Sequence, residues 1–352
     1  MKLICYLLIV ILTASCVPIR NNNVSIEVNR VNEVKLSESE KKIGKLQQLL
    51  ISSDSLIYVL DRTSYFIHQY SWNGEYLKSF GGKGSSPNEL QNPVFFCVDE
   101  KKKELVIGEY QLGIKFFETN QKISKTVFIE ENQIFISSGD ISVIKNEDLL
   151  LTGFYDAKKQ EKSLCIISRE GKVLREISFV PDEYNKYMLD GGRMHDIRES
   201  GEFVVAFSQS PALFLGNIYE GKWKKYDFDE MRDKYISKRR KKDSINRFEE
   251  MIELLKEEAL NYKVCFLNDT IVARASSMYS EKGISDKSYL SRKNKKLEFF
   301  KTKDEKIMGI MGNAEIHGKL HCVFNGHLVI EESDEPDNRR FGLYEVKFIT
   351  QK

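Results

Sequence analysis

The 352-residue sequence predicts an all-β fold, a six-bladed β-propeller with one helical insertion between blades four and five. Three observations carry that expectation. Short apolar runs bounded by Gly, Asn, Asp and Lys turns dominate from Val24 onward, the pattern of many short strands. A polar turn followed at once by an apolar strand recurs at Asp54, Lys103, Asp148, Gly201, Asp269 and Lys319, in steps of 49, 45, 53, 68 and 50 residues. A second turn recurs at Asn73-Gly74, Asn120-Gln121, Glu170-Gly171, Glu220-Gly221 and Asn294-Lys295. Self-similarity at roughly 40–50 residues, with four strands per unit, is how propeller blades read in sequence, so six markers imply six blades.

Residues 1–15 read as an export signal. Lys2 is a minimal positive region, and the apolar run Leu3 to Leu12 is far short of the about 20 residues that span a bilayer. Thr13-Ala14-Ser15 before Cys16 resembles the cleavage box of bacterial lipoproteins, in which the cysteine is lipidated; Thr13 stands where a leucine is usual. The competing reading is an ordinary secretory peptide cut near Ala14. Asn21-Asn22-Asn23 is polar, as a tether leaving a membrane would be, so 16–23 is read as a lipid-anchored tether and 24–352 as the propeller.

The first blade is read from an inner strand at Leu46–Ile51, then Leu56–Leu60, Phe66–Tyr70 and Tyr76–Phe80. Asn73-Gly74 predicts a type I′ hairpin, which needs φ > 0 at both central residues. The long fourth step is assigned to an insertion at 229–261, where Ile245, Phe248, Ile252 and Leu255 fall at helical spacing. Lying between complete blades, it is expected to be dispensable for folding. The basic run Lys238-Arg239-Arg240-Lys241-Lys242 reads as a solvated face rather than a docking patch, because Glu249-Glu250 and Glu257-Glu258 offset it. The sixth blade is read from an inner strand near Ile307–Met311, then Lys319–Phe324, His327–Glu331 and Phe341–Phe348. Val24 to Val31 alternates like a strand but has no blade of its own. An open ring would expose two sheet edges, so this segment is expected to pair antiparallel with Gly342–Phe348 as the outer strand of the sixth blade, Ile26 and Val28 on one face.

The stretch Tyr58-Val59-Leu60-Asp61, Tyr70 with Asn73-Gly74, Phe80-Gly81-Gly82-Lys83-Gly84, Asn92-Pro93 and Val98-Asp99 resembles the NHL-type repeat. More closely, the chain is similar to the six-bladed propeller lipoproteins of Bacteroidota-type envelopes. The motif is specific in the first blade and its junction to the second; elsewhere only the turn-strand rhythm persists. The resemblance implies a fold and a place in the bacterial cell envelope, on the periplasmic or surface side. NHL-like propellers serve as binding platforms and as enzymes, so it implies no reaction.

Hydrophobic residues make up 41% and charged residues 30%, which supplies a core and excludes wholesale disorder. Lysine plus arginine is 54 against 52 acids, so charge gives no case for nucleic acid. Beyond Cys5 and Cys16 the cysteines Cys97, Cys165, Cys265 and Cys322 each sit in an apolar run, as buried free thiols do. No G-x-S-x-G elbow, H-E-x-x-H helix or Walker A spacing occurs. Among His68, His195, His317, His321 and His327, the pair His195-Asp196 is the best candidate to face the channel, on an innermost strand. The last three histidines do not share one strand face.

Loops between second and third strands and loops between blades share one end of a propeller, and the short turns take the other. The loop-rich end is expected to collect Tyr65, Tyr110, Tyr155 and Tyr279, with Tyr187 in the stretch from Tyr184 to Gly192. Tyrosines beside acids suit stacking and hydrogen bonding to sugars or peptides, and these five are the candidate ligand-binding residues. The functional reading is a monomeric lipoprotein, held to the membrane through Cys16, that presents a non-catalytic platform to a glycan, a peptide or an envelope protein without a cofactor. The alternative is a propeller hydrolase or lyase with a metal in the central channel.

Overall fold

The computed structural model describes residues 24–110, 113–118, 123–129, 134–144, 149–156, 161–177, 193–228, 231, 235, 259–279, 292–333, 335 and 338–350. The chain opens with β1 (Val24–Lys35). Blade one is β2 (Leu46–Ile51), β3 (Ile57–Asp61), β4 (Phe66–Tyr70) and β5 (Tyr76–Gly81); blade two is β6 (Pro93–Asp99), β7 (Glu104–Glu109), β8 (Gly113–Glu118) and β9 (Ile123–Val127). Blade three is β10 (Ile134–Ile144), β11 (Leu149–Asp156), β12 (Glu161–Ser168) and β13 (Val173–Ile177); blade four is β14 (Arg193–Ile197), β15 (Glu202–Phe207), β16 (Leu213–Asn217) and β17 (Lys222–Tyr226). Blade five is β18 (Ala259–Asn268), β19 (Ile271–Tyr279), β20 (Arg292–Lys303) and β21 (Lys306–Ile316). Blade six is β22 (Lys319–Phe324), β23 (His327–Ser333) and β24 (Arg340–Thr350), completed by β1. All neighbouring strands within a blade run antiparallel, and the architecture is the six-bladed propeller expected.

Burial explains the sequence pattern. Middle strands such as β3 and β15 are buried along their whole length, because blades pack on both of their faces, and they read as continuous apolar runs. Outer strands such as β17, Lys-Trp-Lys-Lys-Tyr, expose most positions and carry the charges. Six apolar clusters fill the six blade junctions. One joins blades one and two through Leu60, Phe80, Phe96 and Phe117, and another joins blades six and one through Val329, Phe341, Leu49 and Tyr70. Among the described residues the large clusters sit at the blade junctions, so packing is spread around the ring.

The ring is fastened on the inside by side chains that imitate backbone. Gln48 of β2 donates from Nε2 to the Phe96 carbonyl at 3.0 Å and accepts the Phe96 N–H at Oε1 at 2.9 Å, as a further strand would. Asp196 of β14 accepts the Phe266 N–H of β18 at 2.9 Å. All four cysteines from Cys97 on are buried and unbridged, as expected.

Closure runs as the alternation of β1 predicts. β1 pairs antiparallel with β24 from Val24↔Thr350 to Lys35↔Arg340, slipping one register step between Arg30 and Asn32. Ile26 and Val28 pack together into the junction of blades five and six. A buried ionic cluster fixes the crossing from β1 to β2: Arg339 reaches Glu331 at 2.9 Å and Glu38 at 3.4 Å, and Glu38 accepts the Ile43 N–H at 2.9 Å.

Four expectations need correction. Asn73-Gly74 is not type I′, since of the two only Gly74 has φ > 0. Gly74 N–H bonds Ser71 O and Ser71 N–H bonds Glu75 O, both at 2.9 Å, so one left-handed residue closes the turn. A Cβ on Gly74 would lie 1.9 Å from the Lys35 carbonyl oxygen, so glycine is also required sterically. Asn294-Lys295 lies inside β20, and the turn falls at Asp304-Glu305, both left-handed. Ile307–Met311 therefore belongs to the outer strand of blade five; the inner strand of blade six is β22, and Gly318-Lys319 is the link between blades. The helical insertion at 229–261 is not supported: Ala259, Leu260 and Asn261 begin β18, and elsewhere in the range the described residues are Met231 and Tyr235. Asn261 Nδ2 donates to the carbonyls of Phe207 and Ser210 at 2.8 Å each, which ties the start of β18 to blade four, while Ile245, Phe248, Ile252 and Leu255 lie outside the described residues.

Candidate functional site

The loop-rich end of blades one and two is built on two carboxylates that end second strands. Asp61, closing β3, accepts the N–H groups of Gly44, Lys45 and Thr63 and the Ser64 hydroxyl, at 3.2, 2.9, 2.9 and 2.6 Å. Burial alone would raise its pKa, but these bonds hold it below the ordinary value. Glu109, closing β7, accepts the N–H groups of Gln91 and Asn92 at 2.5 and 3.1 Å and pairs with Lys115 at 3.0 Å. Each acid thus ties its own blade to the loop that enters the inner strand beside it.

Tyr65 and Tyr110 lie next to these acids. Tyr65 is half-buried in the β3–β4 turn at φ 61, a left-handed conformation costly for a tyrosine. Its N–H bonds Asp61 O at 2.8 Å, and its carbonyl accepts the Gly82 N–H at 3.1 Å. Arg62 and Lys83 stand 5.7 and 5.6 Å from its ring centroid. Tyr110 is 41% exposed, with its N–H on the Asn92 carbonyl. Tyr155 and Tyr279, expected in loops, instead belong to β11 and β19, while Tyr187 lies outside the described residues with the whole stretch 178–192. Residues 1–23, with Cys16, are outside as well.

Inside the ring, β14 is the innermost strand of blade four, as expected for His195-Asp196. His195 Nε2 lies 3.1 Å from Ser142 Oγ of β10. Lys263 of β18 pairs with Asp140 of β10 at 3.2 Å, and the charges of Asp140 and Asp196 raise its pKa although burial opposes them. Burial raises Asp196. Polar side chains of three consecutive blades therefore meet around the channel as cross-braces. The late histidines are separated: His317 is exposed, His321 is buried against Glu331 at 2.9 Å, and His327 bonds the Asn325 carbonyl at the opposite end of β22. Among the described residues no three His, Cys, Asp or Glu side chains are grouped to hold a metal.

A cavity of about 730 Å³ opens at the other end, where the short turns are. Its walls are the last residues of inner strands from five blades, including Leu50, Cys97, Val143, Ile197 and Val323. Asp99, Glu100, Lys101 and Lys102 form part of its rim. Asp99 is held by Arg169 and accepts the N–H groups of Lys101 and Lys102. The sequence points to the loop-rich end and not to this mouth, whose one signal is the polar turn directly after each inner strand.

A second group invisible in the sequence joins blades four and five. Arg274 of β19 is fully buried, pairs with Glu298 of β20 at 2.8 Å and lies 5.3 Å from the Tyr235 ring. The Tyr235 hydroxyl donates to Asn261 Oδ1 at 2.9 Å and lies 3.3 Å from Glu298. The segment between β17 and β18 thus sends a side chain into the body of the propeller.

No protein-family model matches the chain, and no curated protein matches it in sequence. Solved structures do match in shape. A member of the DUF4221 family from Bacteroides vulgatus aligns with TM-score 0.63 at 11% identity, covering 92% of this chain and 99% of that one. A candidate exported protein of Bacteroides fragilis aligns with TM-score 0.59 at 11% identity, over 92% and 95% of the two chains. The WD40 repeats of RRP9 align with TM-score 0.55 at 11% identity, over 91% and 100%. At such identity the likeness is one of fold, and the chain shares the propeller architecture of these proteins along nearly its whole length.

Proposed function

We propose that the chain is an NHL-type propeller lipoprotein of the bacterial cell envelope, anchored at Cys16, whose loop-rich end is a non-catalytic platform for a glycan, a peptide or an envelope protein. The observation that carries this reading is the direction of β1. Val24 pairs with Thr350, so the chain enters blade six at the end that holds the Asn325-Gly326 turn. Residues 16–23 can extend about 3.5 Å each, so a lipid at Cys16 keeps that end within about 28 Å of a bilayer. The short-turn end and its cavity then face the membrane, and Tyr65 and Tyr110 face away. The name of the Bacteroides fragilis neighbour, a candidate exported protein, supports the export part of this reading.

Anchoring has a direct test. Cys16→Ser should move the protein from the membrane to the soluble fraction and lower the mass of the mature chain by its acyl groups. A variant that stays with the membrane at unchanged mass would refute the lipid anchor, since one acyl signal binds only marginally and stable anchoring needs more than one.

A further inference from the structure

We infer that the Tyr65 corner of blade one is a binding site for an acidic glycan, one whose sugar rings carry carboxylate or sulfate groups. This rests on the platform reading and names the ligand class of one part of that platform.

Three cations from three separate stretches of chain converge there on two adjacent rings. Lys41, on the crossing from β1 to β2, lies 5.2 Å from the Phe66 ring. Arg62, in the β3–β4 turn, and Lys83, in the loop from blade one to blade two, flank the Tyr65 ring. Lys41 and Lys83 are exposed and Arg62 is half-buried. Among the described residues, none of the three pairs with a carboxylate. The acids nearby are already engaged: Asp61 accepts four bonds, and Glu89 accepts the Ser86 N–H at 2.9 Å. Surface cations ordinarily find acids in a chain with nearly equal numbers of each. Here the aromatic rings hold them instead, and their charge is left for something outside the chain.

The backbone is shaped to make this arrangement. Tyr65 takes a left-handed conformation, which is costly for a non-glycine residue and persists where surrounding structure enforces it. Gly81 and Gly82, at φ 80 and 111, turn the next loop across the same rings, and a Cβ on Gly82 would strike Phe66 at 2.8 Å. The loop is closed by Leu90 N–H to Gly82 O at 2.7 Å and Gly84 N–H to Leu90 O at 3.1 Å, which fixes where Lys83 begins. Arg62 Nη1 donates to the Pro93 carbonyl at 2.8 Å, leaving the rest of its guanidinium beside Tyr65. Rigid aromatic faces with fixed cations suit sugar rings that carry anions: the rings stack and the cations pair. A phospholipid surface offers the same charge, but the direction of β1 turns this corner away from the bilayer.

The test is titration of the full-length protein in detergent with polygalacturonate and chondroitin sulfate oligosaccharides, with dextran as the neutral control. Binding of an acidic oligosaccharide that fades as salt rises from about 50 to about 500 mM is expected, with none to dextran. Lys41→Gln with Lys83→Gln should weaken it several-fold, and adding Arg62→Gln should bring the loss to about tenfold or more. Lys101→Gln with Lys102→Gln, at the opposite end, should bind as the parent does. The inference is overturned if no acidic glycan binds at low salt, if the triple variant binds unchanged, or if phosphatidylglycerol vesicles bind through these residues more tightly than the glycans. Binding of dextran or a peptide alone would overturn it while leaving the platform reading intact.

Discussion

His68 and His321 sit inside their blades with pKa values pushed down to about 4 by burial. At His68 the Asp61 charge opposes burial and Lys41 adds to it; at His321 Lys319 adds to it and Glu331 opposes. Neutral His321 donates from Nε2 to Glu331, which accepts from Arg339 on its other oxygen. Each histidine is neutral when folded and protonates below about 6.5 when unfolded, so the unfolded state binds more protons as pH falls from about 6.5 to about 4. Stability is therefore full above about 6.5 and declines through that window, by up to roughly 3 kcal/mol per histidine. Urea titrations at pH 7.5, 6 and 4.5 should show this decline, and a chain with His68→Gln and His321→Gln should show a flatter one; equal slopes would remove the histidines from the account. At this scale the sequence was informative about the cysteines, because four apolar flanks state their burial directly. It was silent about Arg274 and Glu298, since a buried ion pair between strands looks like two surface charges until the register is known.

Elements divide into those with a local signature and those whose signature is tertiary. The strands of blade one and the pairing of β1 were legible, since alternation and an odd strand left over are properties of the sequence alone. The Lys-rich start of β20 reads as a turn because charges dominate its first five residues, whereas Leu297, Phe299 and Phe300 sit at the junctions with blades six and four. The insertion reads as dispensable because it lies between complete blades, and nothing in the sequence announces that the Tyr235 hydroxyl reaches Asn261. That contact reverses the expectation. Tyr235→Phe should cost about 1–3 kcal/mol, as the removal of a buried hydrogen-bond partner does. Deleting 229–258 with a short Gly-Ser bridge should lower the melting temperature markedly, because Arg274 and Glu298 lose the tyrosine that covers them. A deletion that melts like the parent would show that this cover contributes nothing.

For the molecule as a whole, the ring is stabilised at six similar junctions, and the one place where distant parts of the chain must meet is blade six. There β1 is the closing strand, and with the anchor proposed at Cys16 the same pairing that removes a free sheet edge would also set which end of the ring faces the membrane. The ring and its closure could be read in advance; the cavity at the short-turn end could not, because its walls come from five blades that are adjacent only once the ring is formed. The orientation is the claim on which the functional reading turns. Single dye-bearing cysteines at Asn325, beside the short-turn mouth, and at Thr63, beside Tyr65, would be compared in the lipidated protein reconstituted into vesicles that carry headgroup quenchers. The account expects the dye at 325 to be quenched strongly and the dye at 63 little, and the reverse order, or equal quenching, would contradict it.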